Sequence, residues 1–362
     1  MDYAYELLDR GYLPDFLVRR AIRLLNAQRL RTLELPQTDY AAHIASKLEY
    51  VRSLKTREIA VKTENANEQH YEVDTGFMLS ALGKHGKYSC CLYEKGNETL
   101  DEAEEAMMIS YTKKAHLKDG QKVLDLGCGW GSLSLWLAAR YPKSQISSLS
   151  NSKTQKVYID QEAKKRGINN LTVFTGDVKT YEFQPESFDR VISIEMFEHM
   201  KNYSLLLAKV SSWLKAFPKD APLEDRSLLF IHIFCHITTP YHFETGDGWM
   251  TKHFFEGGTM ASHDLFLHFQ NDVVLEDLWW INGTHYGRTS EDWLKTLDRN
   301  NKDNKSVQLL REDAKKKGLD PIEGEKAFYR WRTFYLAVAE FFATDNGQEW
   351  GVGHYLFSKR KS

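Results

Sequence analysis

The sequence has no long apolar run. A spanning helix needs roughly 18 consecutive apolar residues, and the nearest approach is the short stretch Leu228 to Cys235, so no transmembrane segment is expected. Met1 to Leu8 carries Asp2 and Glu6 and reads neither as a secretory leader nor as a transit peptide. Cysteine is scarce. Cys90, Cys91, Cys128 and Cys235 are the four in 362 residues, two of them sequence neighbours and none in a C-x-x-C pair, which argues against a disulfide framework and a zinc knuckle. A reducing, cytoplasmic setting fits, and in it the Asn-x-Ser/Thr sequons carry no weight. Excess charge of one sign is missing too: 48 Lys plus Arg stand against 50 Asp plus Glu, for a net charge of −2. The global positive field of a sequence-independent nucleic-acid binder is therefore absent. No repeat or low-complexity tract interrupts the chain, and 42% hydrophobic with 27% charged residues excludes disorder and fibre.

What is present is patterned. Residues 1–75 read as a helical N-terminal cap, with Leu17, Ala21, Leu24, Leu25 and Gln28 on one helical face. Arg19, Arg20, Arg23, Arg29 and Arg31 lie between Phe16 and Thr32 with no acid among them. They fit the solvated outer face of a cap helix, a membrane-surface helix being the disfavoured alternative. In residues 76–362, runs at Lys122–Leu126, Gln145–Leu149, Leu171–Thr175, Phe188–Ile194 and Ser227–Cys235 read as strands. Helical stretches at Ser132–Arg140 and Asn151–Arg166 separate the first of them. This alternation predicts an α/β fold with a doubly wound, mostly parallel sheet, its edge closed by a strand at Trp350–Ser358. Residues 236–300, rich in aromatics, Gly and His, break the period and are expected to form a lid insertion, followed by helices at Lys302–Lys317 and Ala327–Ala343.

A glycine-rich turn, Gly127-Cys128-Gly129-Trp130-Gly131, joins the first strand to its helix, where missing Cβ atoms let a ligand reach the backbone. Alone it is a weak signal. Its third glycine comes one position too early for a dinucleotide fold, Asp125 precedes it on the strand, and Gly176-Asp177-Val178 follows strand three. Together these resemble the nucleoside-binding turn of S-adenosylmethionine-dependent methyltransferases, whose Rossmann-like class I fold has a mostly parallel seven-stranded sheet. The resemblance implies S-adenosylmethionine as cofactor and S-adenosylhomocysteine as product. The methionine part would lie over Gly127, Gly129 and Gly131, the adenine at Asp177 and Val178, and the ribose at Ser150, Asn151 and Gln155. Ser89, Asp125 and Ile194 complete the expected cofactor set.

Glu195, Glu198 and His199 follow the fourth strand, at the sheet edge where open α/β folds bind ligands. Two carboxylates and an imidazole beside a buried strand should be partly desolvated, with perturbed pKa values. Methyl transfer to nitrogen needs an uncharged nucleophile, so an amine must lose its proton nearby. Glu195 and Glu198 would hold or neutralise the ammonium and His199 would help remove the proton. The other reading of the cluster is a solvated strand-to-helix loop with a Glu at a helix start.

The run Ile194 to Tyr203 is similar to that of the coclaurine N-methyltransferase family, plant enzymes that methylate benzylisoquinoline amines. Tyr88–Cys91, Thr99–Met107, Leu117–Gly129, Phe269–Val273 and Glu349–Trp350 extend the likeness over most of the chain. The resemblance implies a cap over a closed pocket and an N-methyltransferase for a small aromatic or alkaloid-like amine, with Glu195, Glu198 and His199 at the catalytic positions. That family is related to cyclopropane fatty acid synthases, which bind bicarbonate as a base and modify unsaturated phospholipid chains. The synthases' bicarbonate positions match Cys90, Glu198, His232 and Tyr286, whereas coclaurine-type enzymes carry an acid in place of His232 and a different residue at Tyr286. Glu195 matches the amine enzymes; the synthases have a glycine there. Cys90, His232, Phe254 and Tyr286 are the expected substrate-binding residues, with a bicarbonate-dependent lipid enzyme as the alternative. Apart from the resemblance, His232 also reads as a buried strand histidine bonded to a neighbouring carbonyl.

Other motifs could mislead. His232 and His236 lack the helix and the acid that a metal site would need, so no metal is expected. Thr239-Pro240-Tyr241 faintly resembles the Pro-Pro-Tyr signature of amino-methylating DNA methyltransferases but follows the wrong strand, and nucleic acid is not an expected partner. Trp249, Phe254, Phe255, Phe266, Phe269, Trp279, Trp280 and Tyr286 suit core packing singly and, as a group, a box for a flat cationic amine. A homodimer is compatible with the sequence, and peripheral membrane contact is not favoured.

Overall fold

The computed structural model describes residues 2–33, 39–60, 73–243 and 248–360. Among the described residues, five helices lead in: α1 (Asp2–Asp9), α2 (Asp15–Leu33), α3 (Tyr40–Lys55), α4 (Thr75–Ala81) and α5 (Leu100–Lys114). Alternation follows, with β1 (Lys122–Leu126), α6 (Ser132–Arg140), β2 (Gln145–Ser150), α7 (Lys153–Lys165), β3 (Leu171–Thr175) and β4 (Arg190–Ile194). A single 3-10 turn (Phe197–His199), α8 (Tyr203–Trp213) and β5 (Leu228–His236) come next. The remainder holds β6 (Tyr241–His242), a π-helical turn (Thr251–Phe255), β7 (Thr259–Ser262), β8 (Val273–Ile281), α9 (Gly283–Asn300), α10 (Lys305–Lys316), α11 (Pro321–Phe342) and β9 (Trp350–Lys359). Parts of the expected cap, 34–38 and 61–72, and of the expected lid, 244–247, lie outside the described residues. No helix among the described residues is long and apolar enough to cross a membrane.

The sheet forms because its central strands are apolar on both faces. All nine residues of β5 are buried, the pattern of a strand covered by helices on either side. The strands run β3-β2-β1-β4-β5, all parallel, and β9 lies antiparallel along the whole of β5, with β8 antiparallel beyond it. These are the seven strands of the expected class, and β6 and β7 bring the sheet to nine. The addition has a physical reason. β4 stops pairing at Ile194↔His232, so the last residues of β5 would expose an open ladder inside the fold; β7 takes that edge through Cys235↔Ala261 and His236↔Ser262.

Two expectations need correction. Val273–Ile281 and Gly283–Asn300 are a sheet strand and a helix rather than lid, so these residues do not belong to an insertion. The strand escaped notice because a register shift between Leu275 and Asp277 interrupts its alternation. On α2, the apolar stripe faces outward: Phe16, Leu17, Leu24 and Leu25 are exposed, while Val18 and Asn26 are the buried positions. Charge holds this helix in place. Arg19 pairs with Glu291 of α9 and Glu340 of α11, Arg23 pairs with the same Glu340, and Arg332 of α11 bridges Asp15 and Asp298.

Removing Glu340 should therefore loosen the cap. The arginines are partly solvated, so Glu340→Ala is expected to cost about 1–2 kcal/mol, read as roughly five- to thirty-fold faster amide exchange in α2 with the sheet unchanged. Unchanged exchange in α2 would refute the docking role of these pairs.

Candidate active site

The carboxyl ends of β1 to β4 share one edge of the sheet, and a cavity opens there. Gly127 and Gly129 after β1, Ser150, Asn151 and Gln155 after β2, and Asp177 and Val178 after β3 line one side. Glu195, Met196, His199 and Met200 after β4, with Glu256 and Gly257 from the insertion, line the other. At Gly127, φ is 84° and a Cβ would lie 2.6 Å from Met196 Cγ; at Gly129, with φ 52°, a Cβ would enter open space. Gln155 accepts from Ser150 Oγ at 2.6 Å, while its buried Nε2 has no hydrogen-bond partner among the described residues. A bare backbone cradle beside an unsatisfied amide donor fits a nucleoside-bearing ligand.

Four residues expected in the cofactor set lie outside this wall. Buried Asp125 accepts from Ser134 Oγ at 2.5 Å, so it fastens the start of α6 beneath the turn; burial pushes its carboxyl up to about 6. Gly131 is required by packing, because a Cβ there would lie 2.6 Å from Ile159 Cγ1 on α7. Ser89 accepts from Lys87 Nζ at 2.6 Å, and Ile194 ends β4 beside His232.

Glu195 is held from three directions. Its backbone is left-handed, with φ 48°. Oε1 accepts from Cys90 N–H at 2.9 Å and lies 2.9 Å from His232 Nε2, while Oε2 accepts from Tyr286 Oη at 2.6 Å. Burial raises its pKa, opposed by the charge of Lys87 and by the bonds from Cys90 and Tyr286. Glu198 turns into the protein: Oε1 accepts from Phe234 N–H at 2.9 Å, and buried Oε2 has no hydrogen-bond partner among the described residues. Burial and the nearby Glu195 push its pKa well up. His199 lies on the cavity wall, parallel to Phe255 with ring centroids 6.5 Å apart, and burial lowers it to about 4. Its imidazole is thus neutral at physiological pH.

The residues expected to touch substrate are mostly one layer back. Cys90, His232 and Tyr286 meet at Glu195, and the ring of Tyr286 stacks on Phe342 at 4.4 Å. Phe254 stacks on Phe334 at 4.5 Å in the core. Instead of a neighbouring carbonyl, His232 Nδ1 meets Tyr111 Oη at 3.0 Å and His354 Nε2 at 2.9 Å. Sequence reasoning missed Lys87, Tyr111 and His354. A lysine two positions before a buried serine-cysteine pair is the one local hint, and Lys87 is only 1% exposed, its Nζ donating to the Cys90 carbonyl.

The strand order, the antiparallel last strand and a glycine turn opening onto buried carboxylates define the class, that of S-adenosylmethionine-dependent methyltransferases. The family model described as mycolic acid cyclopropane synthetase matches residues 59–317. (S)-Coclaurine N-methyltransferase of Thalictrum flavum subsp. glaucum is 38% identical over 358 residues, covering 98% of this chain and 94% of its own length. Its counterpart from Papaver somniferum is 36% identical over 357 residues, covering 98% and 97%. The crystal structure of coclaurine N-methyltransferase bound to N-methylheliamine and S-adenosylhomocysteine superposes with a TM-score of 0.89 at 36% identity, covering 99% of each chain. The chain belongs to the coclaurine N-methyltransferase family and is an S-adenosylmethionine-dependent N-methyltransferase.

Proposed function

We propose that the enzyme methylates the nitrogen of a small amine built on an aromatic, alkaloid-like skeleton. The observation that carries this reading is the carboxylate of Glu195, fixed on the wall of the cavity that holds the glycine turn by two donors, Cys90 N–H and Tyr286 Oη, and by the imidazole of His232. S-Adenosylmethionine supplies, when bound, an electrophilic methyl group on a sulfonium. Gly127 and Gly129 would take its methionine part, Ser150, Asn151 and Gln155 its ribose, and Asp177 and Val178 its adenine. Glu195 attracts a cationic amine and accepts its proton at a carboxylate oxygen, and desolvation strengthens it as a base. His199, uncharged, accepts a hydrogen bond from the substrate N–H and so helps turn the nitrogen lone pair. An arriving cation favours the ionised form of both Glu195 and buried Glu198, and only in that form does Glu198 add negative potential.

The same geometry weighs against the bicarbonate alternative. Cys90 N–H, His232 and Tyr286 Oη, which that reading needs for the anion, are engaged by Glu195. The test offers labelled S-adenosylmethionine with aromatic amines or with unsaturated phospholipid vesicles, each with and without bicarbonate. Label should enter the amines regardless of bicarbonate; bicarbonate-dependent label in the lipid would overturn the proposal. The exposed stripe Phe16, Leu17, Leu24 and Leu25 is the surface a homodimer would bury, and four unpaired, buried cysteines support a cytoplasmic setting.

A further inference from the structure

Methylating an ammonium substrate to a protonated, methylated amine releases one proton per turnover, and Glu195 is buried where that proton first lands. A line of polar groups leads away from it. The register sets Ile194, His232, His354 and Trp279 side by side across β4, β5, β9 and β8, so their side chains share one face of the sheet. Glu195 Oε1 lies 2.9 Å from His232 Nε2, His232 Nδ1 lies 2.9 Å from His354 Nε2, and His354 Nδ1 lies 2.7 Å from Lys114 Nζ. Both imidazoles are 0% exposed. Lys114 is half-buried at the end of α5, its ammonium 4.8 Å from the centre of the Trp279 ring.

We propose that Glu195, His232, His354 and Lys114 form a proton relay that carries the proton released by methylation across the face of the sheet to solvent. The proposal rests on the amine-methylating reading of Glu195. Protonated Glu195 gives its proton to His232 Nε2, His232 Nδ1–H passes one to His354 Nε2, and His354 Nδ1–H passes one to the neutral amine of Lys114. Lys114 then releases a proton to water. Each imidazole gains one proton and loses one, so neither becomes a cation, and the starting tautomers return between turnovers, when the reverse transfers from a Lys114 reprotonated by water back through His354 and His232 to Glu195 put a proton into the emptied cavity.

The surroundings suit this route. His232 faces Glu195, Tyr111 of α5, Lys87 and His354; His354 faces His232, Lys114 and Lys87; Lys114 faces His354 and Trp279, with Asp277 of β8 and Glu94 nearby. Burial, reinforced by the neighbouring cationic groups, holds both imidazoles well below their ordinary range and therefore neutral. Burial also lowers Lys114 to about 8, opposed by Asp277 and Glu94, so that it can exchange protons with water near neutrality. His232 and His354 are positioning residues here, because they act through Glu195.

The test compares wild type with Lys114→Met and Lys114→Arg, the latter keeping the charge but not the titration. Turnover at saturating amine and S-adenosylmethionine is followed from about pH 6.5 to about 9.5; both variants should lower kcat about tenfold and leave both KM values within about twofold. They should also lose the rise in wild-type kcat that accompanies deprotonation of Lys114. A bond that only ties α5 to β9 would leave that limb in place. In parallel, ¹⁵N spectra of His232 and His354, recorded without turnover, should show both rings neutral and exchanging tautomers as Lys114 titrates, and frozen in Lys114→Arg. Tautomers fixed across the range, or variants with the wild-type kcat profile, would overturn the relay. Should wild type methylate no amine, the functional reading fails while the spectra still decide whether the relay exists.

Discussion

Glu195→Gly should lower turnover at least about a hundredfold, and formate, acetate or bicarbonate should restore part of it. The substitution removes the carboxylate but not what surrounds it. Cys90 N–H, His232 Nε2 and Tyr286 Oη would still converge on the vacated space. Leaving such buried groups without a partner costs about 1–3 kcal/mol each, which favours entry of a small anion with two oxygens. The backbone accepts the change, since φ at this position is 48°, a conformation glycine adopts freely. Glu195→Gln is the control: it removes the charge, leaves no vacancy and should be as slow without being rescued. Activity in Glu195→Gly without any additive would sink the assignment of Glu195 as the base. So would insensitivity to all three anions in a variant that still binds S-adenosylmethionine.

Arg190→Met should destabilise the fold by about 3–5 kcal/mol, measured as the loss in unfolding free energy in urea. Arg190 opens β4 and is 1% exposed. It donates to five carbonyls: Ala115 and His116 at the end of α5, Asp189 before its own strand, and Glu224 and Arg226 in the turn before β5. A thioether satisfies none of them. The guanidinium also places a cation at the carboxyl end of α5, where the helix dipole favours it. Burial lowers its pKa to about 10, so it remains charged at neutral pH. Lysine has three donors and should recover only part of the loss. A change under about 1 kcal/mol would show that the carbonyls find other donors.

Much of this molecule was legible from local pattern. β1, β2, β3 and β5 are short runs carrying Val, Ile, Leu or Phe and bounded by turns, and the glycine turn follows because a strand must bend sharply into α6. Glu195 and His199 were visible as acid and imidazole just past a strand, and both line the cavity. Other features depend on partners far away in sequence. The apolar stripe on α2 pointed to the wrong face because Glu291 and Glu340, which decide how the helix docks, come some three hundred positions later. Asp125 and Gly131 carry the right residue types for a cofactor turn, yet their environments make them supports. The line from Glu195 to Lys114 requires the β5–β9 register, which no local pattern encodes.

The left-handed backbone at Glu195 bears on the ancestry of the site. A non-glycine residue pays roughly 1–2 kcal/mol there, and glycine does not, so both are admissible at the same point of the same loop. Their codons differ by a single nucleotide. A lineage can thus trade a base built into the chain for one recruited from solution, or reverse the exchange, while the donors that hold either anion stay where they are.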